Sequence, residues 1–163
     1  MEQPQRKNLR IPNFDYAQNG AYFLTICTLN RLPILSRITV YPPENDGDPG
    51  IAVELLHHGV IAHRHLHRMA ATYPELSLDN FVVMPDHIHI LLTVKGQQSE
   101  VGRTTASRFV GTFKRFCNRE YGENIWQSRF YDHVIRNQAD YNEVYEDISN
   151  NPMRWAMKNR GRE

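Results

Sequence analysis

The alternation of apolar and polar positions along the chain predicts a mixture of strands and helices. Runs rich in β-branched and aromatic residues predict strands, and these runs cover 21–28, 76–84, 87–94 and 130–136, with a further short strand at 51–55. Apolar residues at helical spacing predict helices over about 59–73, 104–121 and 139–150. Pro74 and Pro152 are expected to end the first and the last of these helices, because proline lacks the backbone N–H that a helix needs.

The order of these elements predicts the fold. A β-α-β-β-α-β order with a helix added at the end is the split β-α-β plan, so we expect an α+β, ferredoxin-like fold. Two helices would cover one face of an antiparallel sheet. The strand 87–94 would be central, and its second face would be open to the terminal helix. We expect one domain over residues 1–163, with an N-terminal arm at 1–19 and a loop at 41–50.

Composition places the chain among soluble globular proteins. Of its 163 residues 40% are hydrophobic and 23% are charged, both ordinary values for such proteins. No apolar run is long enough to span a bilayer, and residues 1–7 lack the apolar core of a signal peptide. Cys27 and Cys117 lie inside apolar segments, which does not indicate a disulfide framework. We therefore expect a cytoplasmic protein.

The strand 87–94 carries the most informative pair of residues. His87 and His89 are two positions apart, so both side chains point to the same face of a buried strand. Buried imidazoles are costly unless their nitrogens are used, and a divalent metal ion is one user of neutral imidazole. Two core histidines bonded to backbone carbonyls are the alternative.

The terminal helix offers oxygen ligands that could join this pair. Asp147 and Asn151 are four residues apart and share a helix face, and a carboxylate with an amide suits Mg²⁺ or Mn²⁺. In the alternative interpretation Asn151 only caps the helix before Pro152.

Two further groups of side chains have a chemical and a structural interpretation. Arginine forks suit phosphate oxygens, and the second long helix has such a stripe, formed by Arg108, Thr112, Lys114, Arg115 and Arg119; the N-terminal arm adds Arg6, Lys7 and Arg10. An ordinary solvated helix face explains the stripe equally well. The first helix carries five histidines, His57, His58, His63, His65 and His67, which we interpret as a solvated flank although His63 and His67 could clamp a metal ion.

Taken in order, the motifs resemble those of the single-tyrosine HUH transposases, and among them the REP-associated tyrosine transposases. HUH denotes His, a bulky hydrophobe and His, here His87-Ile88-His89. The other segments that carry the resemblance are Gly20–Thr28, Val83–Asp86, Phe113-Lys114, Trp126-Gln127, Tyr131–Asn137 and Asn150-Asn151-Pro152. The resemblance covers nearly the whole chain, with residues 38–50 the least similar part.

The resemblance implies an activity that the residues alone do not name. Such enzymes bind single-stranded DNA folded into a hairpin, at short palindromic repeats of bacterial genomes. They hold Mg²⁺ or Mn²⁺ on the two HUH histidines, and a tyrosine of the terminal helix attacks the scissile phosphate. Strands are then rejoined by the reverse reaction. A monomer and a homodimer are both compatible with the family, and no membrane partner is implied.

The chain departs from the family at the nucleophile. The family tyrosine lies four residues before the Asn of Asn-Pro, and counting back from Asn151 gives Asp147. Tyr145 lies two residues earlier, about 200° around the helix at 100° per residue. Three outcomes remain open: a DNA-binding derivative with Asp147 as an extra metal ligand, an active enzyme that recruits Tyr145, and a hydrolytic nuclease in which Asp147 and the metal activate water.

Overall fold

The computed structural model describes residues 20–96 and 99–159, and the side chains of 99–104 lie outside that description. Its strands are β1 (Gly20–Cys27), β2 (Ser36–Tyr41), β3 (Gly50–Leu55), β4 (Leu76–Val83), β5 (His87–Val94) and β6 (Tyr131–Val134). Its helices are α1 (His57–Thr72), α2 (Ser99–Tyr121) and α3 (Gln138–Lys158), with a 3-10 turn at Leu29–Arg31. In the described part of the chain no helix is both long and apolar enough to cross a membrane.

Four strands form one sheet in the order β4-β5-β1-β6, and every neighbouring pair is antiparallel. The α+β, ferredoxin-like prediction is therefore confirmed, with β5 as a central strand. β1 pairs with β5 along its whole length, and β4 pairs with it from Ile88 to Val94 with one register shift. Its side chains consequently have two well-defined directions, one toward each face of the sheet.

Each face of the sheet has its own apolar core. Alternate residues of β1 and β5, among them Leu24 and Ile90, pack with α1 and α2 through Leu66, Phe109 and Phe113. The other face is covered by α3, whose core cluster consists of Ala21, Leu91, Ile135, Tyr141, Val144 and Ile148. The predicted division, with two helices on one face and the terminal helix on the other, is thus present in the structure.

The sequence prediction missed one strand. β2 pairs with β3 as a separate antiparallel hairpin, and the predicted loop at 41–50 connects the two. Ile38 and Val40 alternate with polar residues as an edge strand should, but the strand is short and largely exposed. Its weak hydrophobic pattern explains the omission.

The predicted end of the terminal helix is wrong. α3 continues through Pro152 to Lys158, and it ends where both the backbone N–H and the side-chain amide of Asn159 donate to the carbonyl of Trp155. A proline inside a helix removes one backbone hydrogen bond, but the bonds after it remain available. Asn151 is therefore an interior residue of α3 and not its cap, so its side chain is free for another role.

Candidate metal and DNA-binding site

His87 and His89 both point toward α3. Ile88 and Ile90, which alternate with them along β5, belong to the core under α1 and α2. Successive side chains of a strand point to opposite faces, so the two imidazoles lie on the α3 face. Their ring centroids are 4.5 Å apart, close enough for both rings to share one ligand.

Each ring is fixed through the same nitrogen. Nδ1 of His87 lies 2.7 Å from Oδ1 of Asp86, and Nδ1 of His89 lies 3.0 Å from the hydroxyl of Thr25. A carboxylate can only accept, so Nδ1 of His87 carries the proton and the lone pair is left on Nε2. The Thr25 hydroxyl can accept from His89 in the same way. This is the outer-shell arrangement that orients metal-bound histidines in proteins.

Both imidazoles favour the neutral form. Burial lowers the pKa of His87, and this outweighs the hydrogen bonds of its ring to Asp86 and Asn151, which act in the opposite direction. Burial, followed by the nearby charges of His87 and Arg31, lowers the pKa of His89 to about 3. Neutral imidazole is the form that binds metal ions, so the pair needs no deprotonation near pH 7.

Sequence reasoning missed Arg31, which is tied into the pair from one side. Its Nε donates to Oδ2 of Asp86 at 3.0 Å and its NH1 to Sγ of Cys27 at 2.9 Å. NH2 of Arg31 lies 3.5 Å from Nδ1 of His87. Arg31 and the preceding Asn30 have positive φ angles of 54° and 57°, a conformation that is uncommon outside glycine and often found at functional sites. Arg31 and Asp86 are 55 positions apart in the sequence, so no local pattern indicates this contact.

α3 brings one of the two predicted oxygen ligands to the histidines. The side chain of Asn151 hydrogen-bonds the ring of His87, and the ring of Trp155 lies 6.2 Å from that of His87. Asp147 is instead paired with Arg154, with 2.9 Å between Oδ1 and NH2 and with 44% of its side chain exposed. Among the side chains of residues 20–96 and 105–159, no three His, Cys, Asp or Glu groups converge as a metal cluster.

Tyr145 and Asp147 lie on different sides of α3. The amide of Asn80 on β4 donates to the backbone carbonyl of Tyr145 at 3.1 Å, so this turn of α3 lies next to β4. Asp140 bonds His133 of β6 at 2.8 Å, and Asp147 follows Asp140 by nearly two helical turns, so it shares the β6 side. The phenol ring of Tyr145 packs near Tyr141, 6.5 Å between centroids, and against the core under α3.

The arginine stripe of α2 lies on the opposite face of the sheet from the histidines. Arg108, Arg115 and Arg119 are exposed, and the hydroxyl of Thr112 accepts from Arg115 at 3.1 Å. Lys114 differs, because its ammonium donates to the carbonyl of Gln127 at 2.8 Å and burial lowers its pKa. The other predicted basic residues, Arg6, Lys7 and Arg10, lie outside the described residues.

The histidines of α1 form contacts of their own. His65 is buried and bonds Glu120 of α2 at 2.8 Å, so for this residue the expectation of a solvated flank is wrong. The rings of His63 and His67 are 4.6 Å apart and both rest on Phe81 of β4. This pair is another place in the described residues where two imidazoles could share an ion.

Comparison with known proteins connects this geometry with the sequence motifs. No family model matches the chain. A protein of Haemophilus influenzae without an assigned function is 26% identical over 173 residues, covering 93% of this chain and 91% of its own. The REP-associated tyrosine transposase of Escherichia coli is 27% identical over 139 residues, which cover 85% of this chain and 70% of the transposase.

A solved structure shows the same fold. It is that of a REP-associated tyrosine transposase bound to a REP hairpin, and it superposes with a TM-score of 0.61 over 90% of this chain and 74% of its own, at 21% identity. The similarity in sequence to the Escherichia coli protein and the shared fold agree with the ordered motifs. The chain is therefore a homologue of the REP-associated tyrosine transposases.

Proposed function

We propose that the chain binds hairpin DNA of the REP palindrome type together with Mg²⁺ or Mn²⁺ held on His87 and His89, and that it does not cleave through a tyrosine. The observation that carries the proposal is the common use of Nδ1. Asp86 and Thr25 engage the Nδ1 atoms of the two rings, and this leaves both Nε2 atoms for one ion. A hard divalent ion bound there stabilises negative charge on phosphoryl oxygens.

Asn151 is the best third ligand that the chain offers. Its side chain already contacts His87, and an amide oxygen is an acceptable ligand for Mg²⁺ and Mn²⁺. Asp147 could join only by leaving Arg154, its partner at 2.9 Å. We therefore assign the ion to His87, His89 and Asn151, with water and DNA phosphate completing its coordination.

The absence of a tyrosine at position 147 argues against a covalent reaction. A carboxylate is a poor nucleophile toward a phosphodiester, and the acyl phosphate it would form hydrolyses readily. The side chain of Tyr145 packs against the core under α3, and it lies about 200° around the helix from Asp147 at 100° per residue. DNA binding needs neither group, because it depends on the metal site and on cationic side chains.

The DNA stem needs a basic surface, for which α2 is a candidate. Its exposed Arg108, Arg115 and Arg119 can bind phosphate oxygens as forks, and we retain them together with Arg6, Lys7 and Arg10. Lys114 is a weaker candidate, because two backbone carbonyls already accept from its ammonium. The related transposase solved with a REP hairpin supports a hairpin as the form of DNA to test.

The test uses a fluorescent palindromic hairpin with a single-stranded tail, with Mn²⁺ or with a chelator. We expect Mn²⁺-dependent binding that His87→Ala and His89→Ala weaken, while the control His63→Ala leaves it unchanged. On a denaturing gel the wild-type protein should give no covalent adduct, and Asp147→Tyr should produce one.

Three results would contradict the proposal in different ways. Hairpin binding of equal affinity with Mn²⁺ and with chelator would show that binding does not depend on the metal ion. A wild-type adduct that Tyr145→Phe abolishes would show that Tyr145 is the nucleophile. A nicked product without adduct would indicate hydrolysis, with Asp147 and the ion activating water.

A further inference from the structure

One exposed aromatic side chain lies on the sheet face that carries the histidine pair. Tyr131 is the first residue of β6 and is 69% exposed. Its side chain forms no hydrogen bond, ion pair or ring contact with the other residues of the described ranges. Tyrosine combines an apolar ring with a polar hydroxyl and is enriched at binding interfaces. We therefore consider Tyr131 a candidate contact for a ligand.

The strand register places Tyr131 in line with His89. Tyr131 is directly opposite Thr25 of β1, and Thr25 is directly opposite His89 of β5. Directly opposite residues of an antiparallel pair share a face, so the three side chains form one row across the sheet. The bond between His133, two residues further along β6, and Asp140 of α3 confirms which face this is.

α3 covers one end of this row and leaves the other open. Asn151 lies over the histidine end, whereas Tyr131 remains exposed. Neighbouring strands are about 4.8 Å apart, so Tyr131 is roughly 10 Å from His89 along the row.

We propose that Tyr131 is a stacking platform for one unpaired nucleobase of the bound DNA. The inference rests on the proposed function and names a subsite of the same site. A strand whose base rests on Tyr131 passes over Thr25, which brings the adjoining phosphodiester to His87 and His89. Stacking on an aromatic ring does not depend on base identity, so this contact holds the strand flanking the hairpin without reading its sequence.

The test separates the ring of Tyr131 from its hydroxyl. Tyr131→Ala, Tyr131→Phe and wild type are compared for binding to a hairpin with a single-stranded tail and to the same hairpin with a blunt end. We expect Tyr131→Ala to bind the tailed hairpin roughly five- to a hundredfold more weakly and the blunt hairpin as wild type does. Tyr131→Phe, which keeps the ring, should match wild type on both. The control is Tyr41→Ala, which removes another exposed tyrosine, on β2.

The possible failures can be told apart. If wild type binds both hairpins and Tyr131→Ala matches it, the stacking platform is refuted while the proposed function stands. If Tyr131→Phe is as weak as Tyr131→Ala, the hydroxyl and not the ring makes the contact, and stacking is refuted. If wild type binds neither hairpin, the proposed function fails and the platform fails with it.

Discussion

At the scale of single residues, the histidine pair depends on side chains that bind no ion themselves. Asp86 and Thr25 hold the two rings through Nδ1, and Arg31 in turn holds Asp86 at 3.0 Å. The pair itself follows from the sequence, since alternation along a strand puts His87 and His89 on one face. Arg31 does not follow, because it meets Asp86 only when the turn after β1 folds against the turn before β5.

The carboxylate of Asp86 should control the affinity for the metal. We expect Asp86→Asn to bind Mn²⁺ roughly ten- to a hundredfold more weakly, because the ring of His87 loses a charged partner that fixes its orientation and raises its basicity. Calorimetric titration measures the affinity, with Asp46→Asn in the exposed loop between β2 and β3 as the control. Equal affinity in wild type and Asp86→Asn would refute the role given to Asp86.

The lowered pKa of His89 should make the metal-free protein sensitive to acid. The unfolded chain protonates this histidine below about pH 6.5, whereas the folded chain resists protonation until about pH 3. Between these values the unfolded state binds more protons, so the free energy of unfolding falls as the pH falls, by up to about 1.4 kcal/mol per pH unit. Above pH 6.5 His89 is neutral in both states and contributes no pH dependence.

Urea unfolding at pH 7 and pH 5, in the presence of a chelator, measures this effect. From pH 7 to pH 5 the free energy of unfolding of wild type should fall by about 2 kcal/mol more than that of His89→Gln. The control is His57→Gln, which replaces an exposed histidine of α1. Its free energy of unfolding should fall as much as that of wild type. An equal loss in wild type and His89→Gln would mean that His89 is protonated as readily in the folded chain as in the unfolded one.

At the scale of elements, local rules predicted the existence of helices and strands better than their ends. The strong apolar runs of β1, β4 and β5 were predicted within one or two residues. The sequence predicts that the last helix ends at Pro152. The helix instead continues beyond this proline, and α3 ends at Lys158. The sequence does not predict the hairpin partner β2, because Ile38 is only partly buried and Val40 is exposed.

Replacing two helical glycines by alanine should change the free energy of unfolding in opposite directions. At Gly59, in the first turn of α1, a Cβ would lie 1.8 Å from the carbonyl oxygen of Leu35, and backbone cannot give way easily. We expect Gly59→Ala to lower the free energy of unfolding by about 2 kcal/mol or more. At Gly111 of α2 a Cβ meets nothing within 4 Å, so Gly111→Ala should raise it by roughly 0.5–1 kcal/mol.

Chemical denaturation of the two variants at pH 7 provides the comparison. A stabilised Gly59→Ala would show that the segment before β2 can move away from α1. A destabilised Gly111→Ala would show that this face of α2 is less open than its surroundings suggest.

At the scale of the whole molecule, the sheet separates two surfaces. The α3 face carries the histidine pair, Asn151 and the open row that ends at Tyr131, whereas the α1 and α2 face carries the arginine stripe. The sequence predicts this division through the order of its elements, since the helices of a split β-α-β unit share one face. The sequence does not predict the ion pair of Asp147 with Arg154, because this pair depends on the conformations of exposed side chains of α3.

The position of a bound ion tests the central claim most directly. Crystals grown with Mn²⁺ and measured near its absorption edge would locate the ion by its anomalous scattering. The account predicts a peak about 2.0–2.3 Å from Nε2 of both His87 and His89, with the Asn151 amide oxygen turned toward it. A peak only between His63 and His67, or no peak at the HUH pair at saturating Mn²⁺, would contradict it.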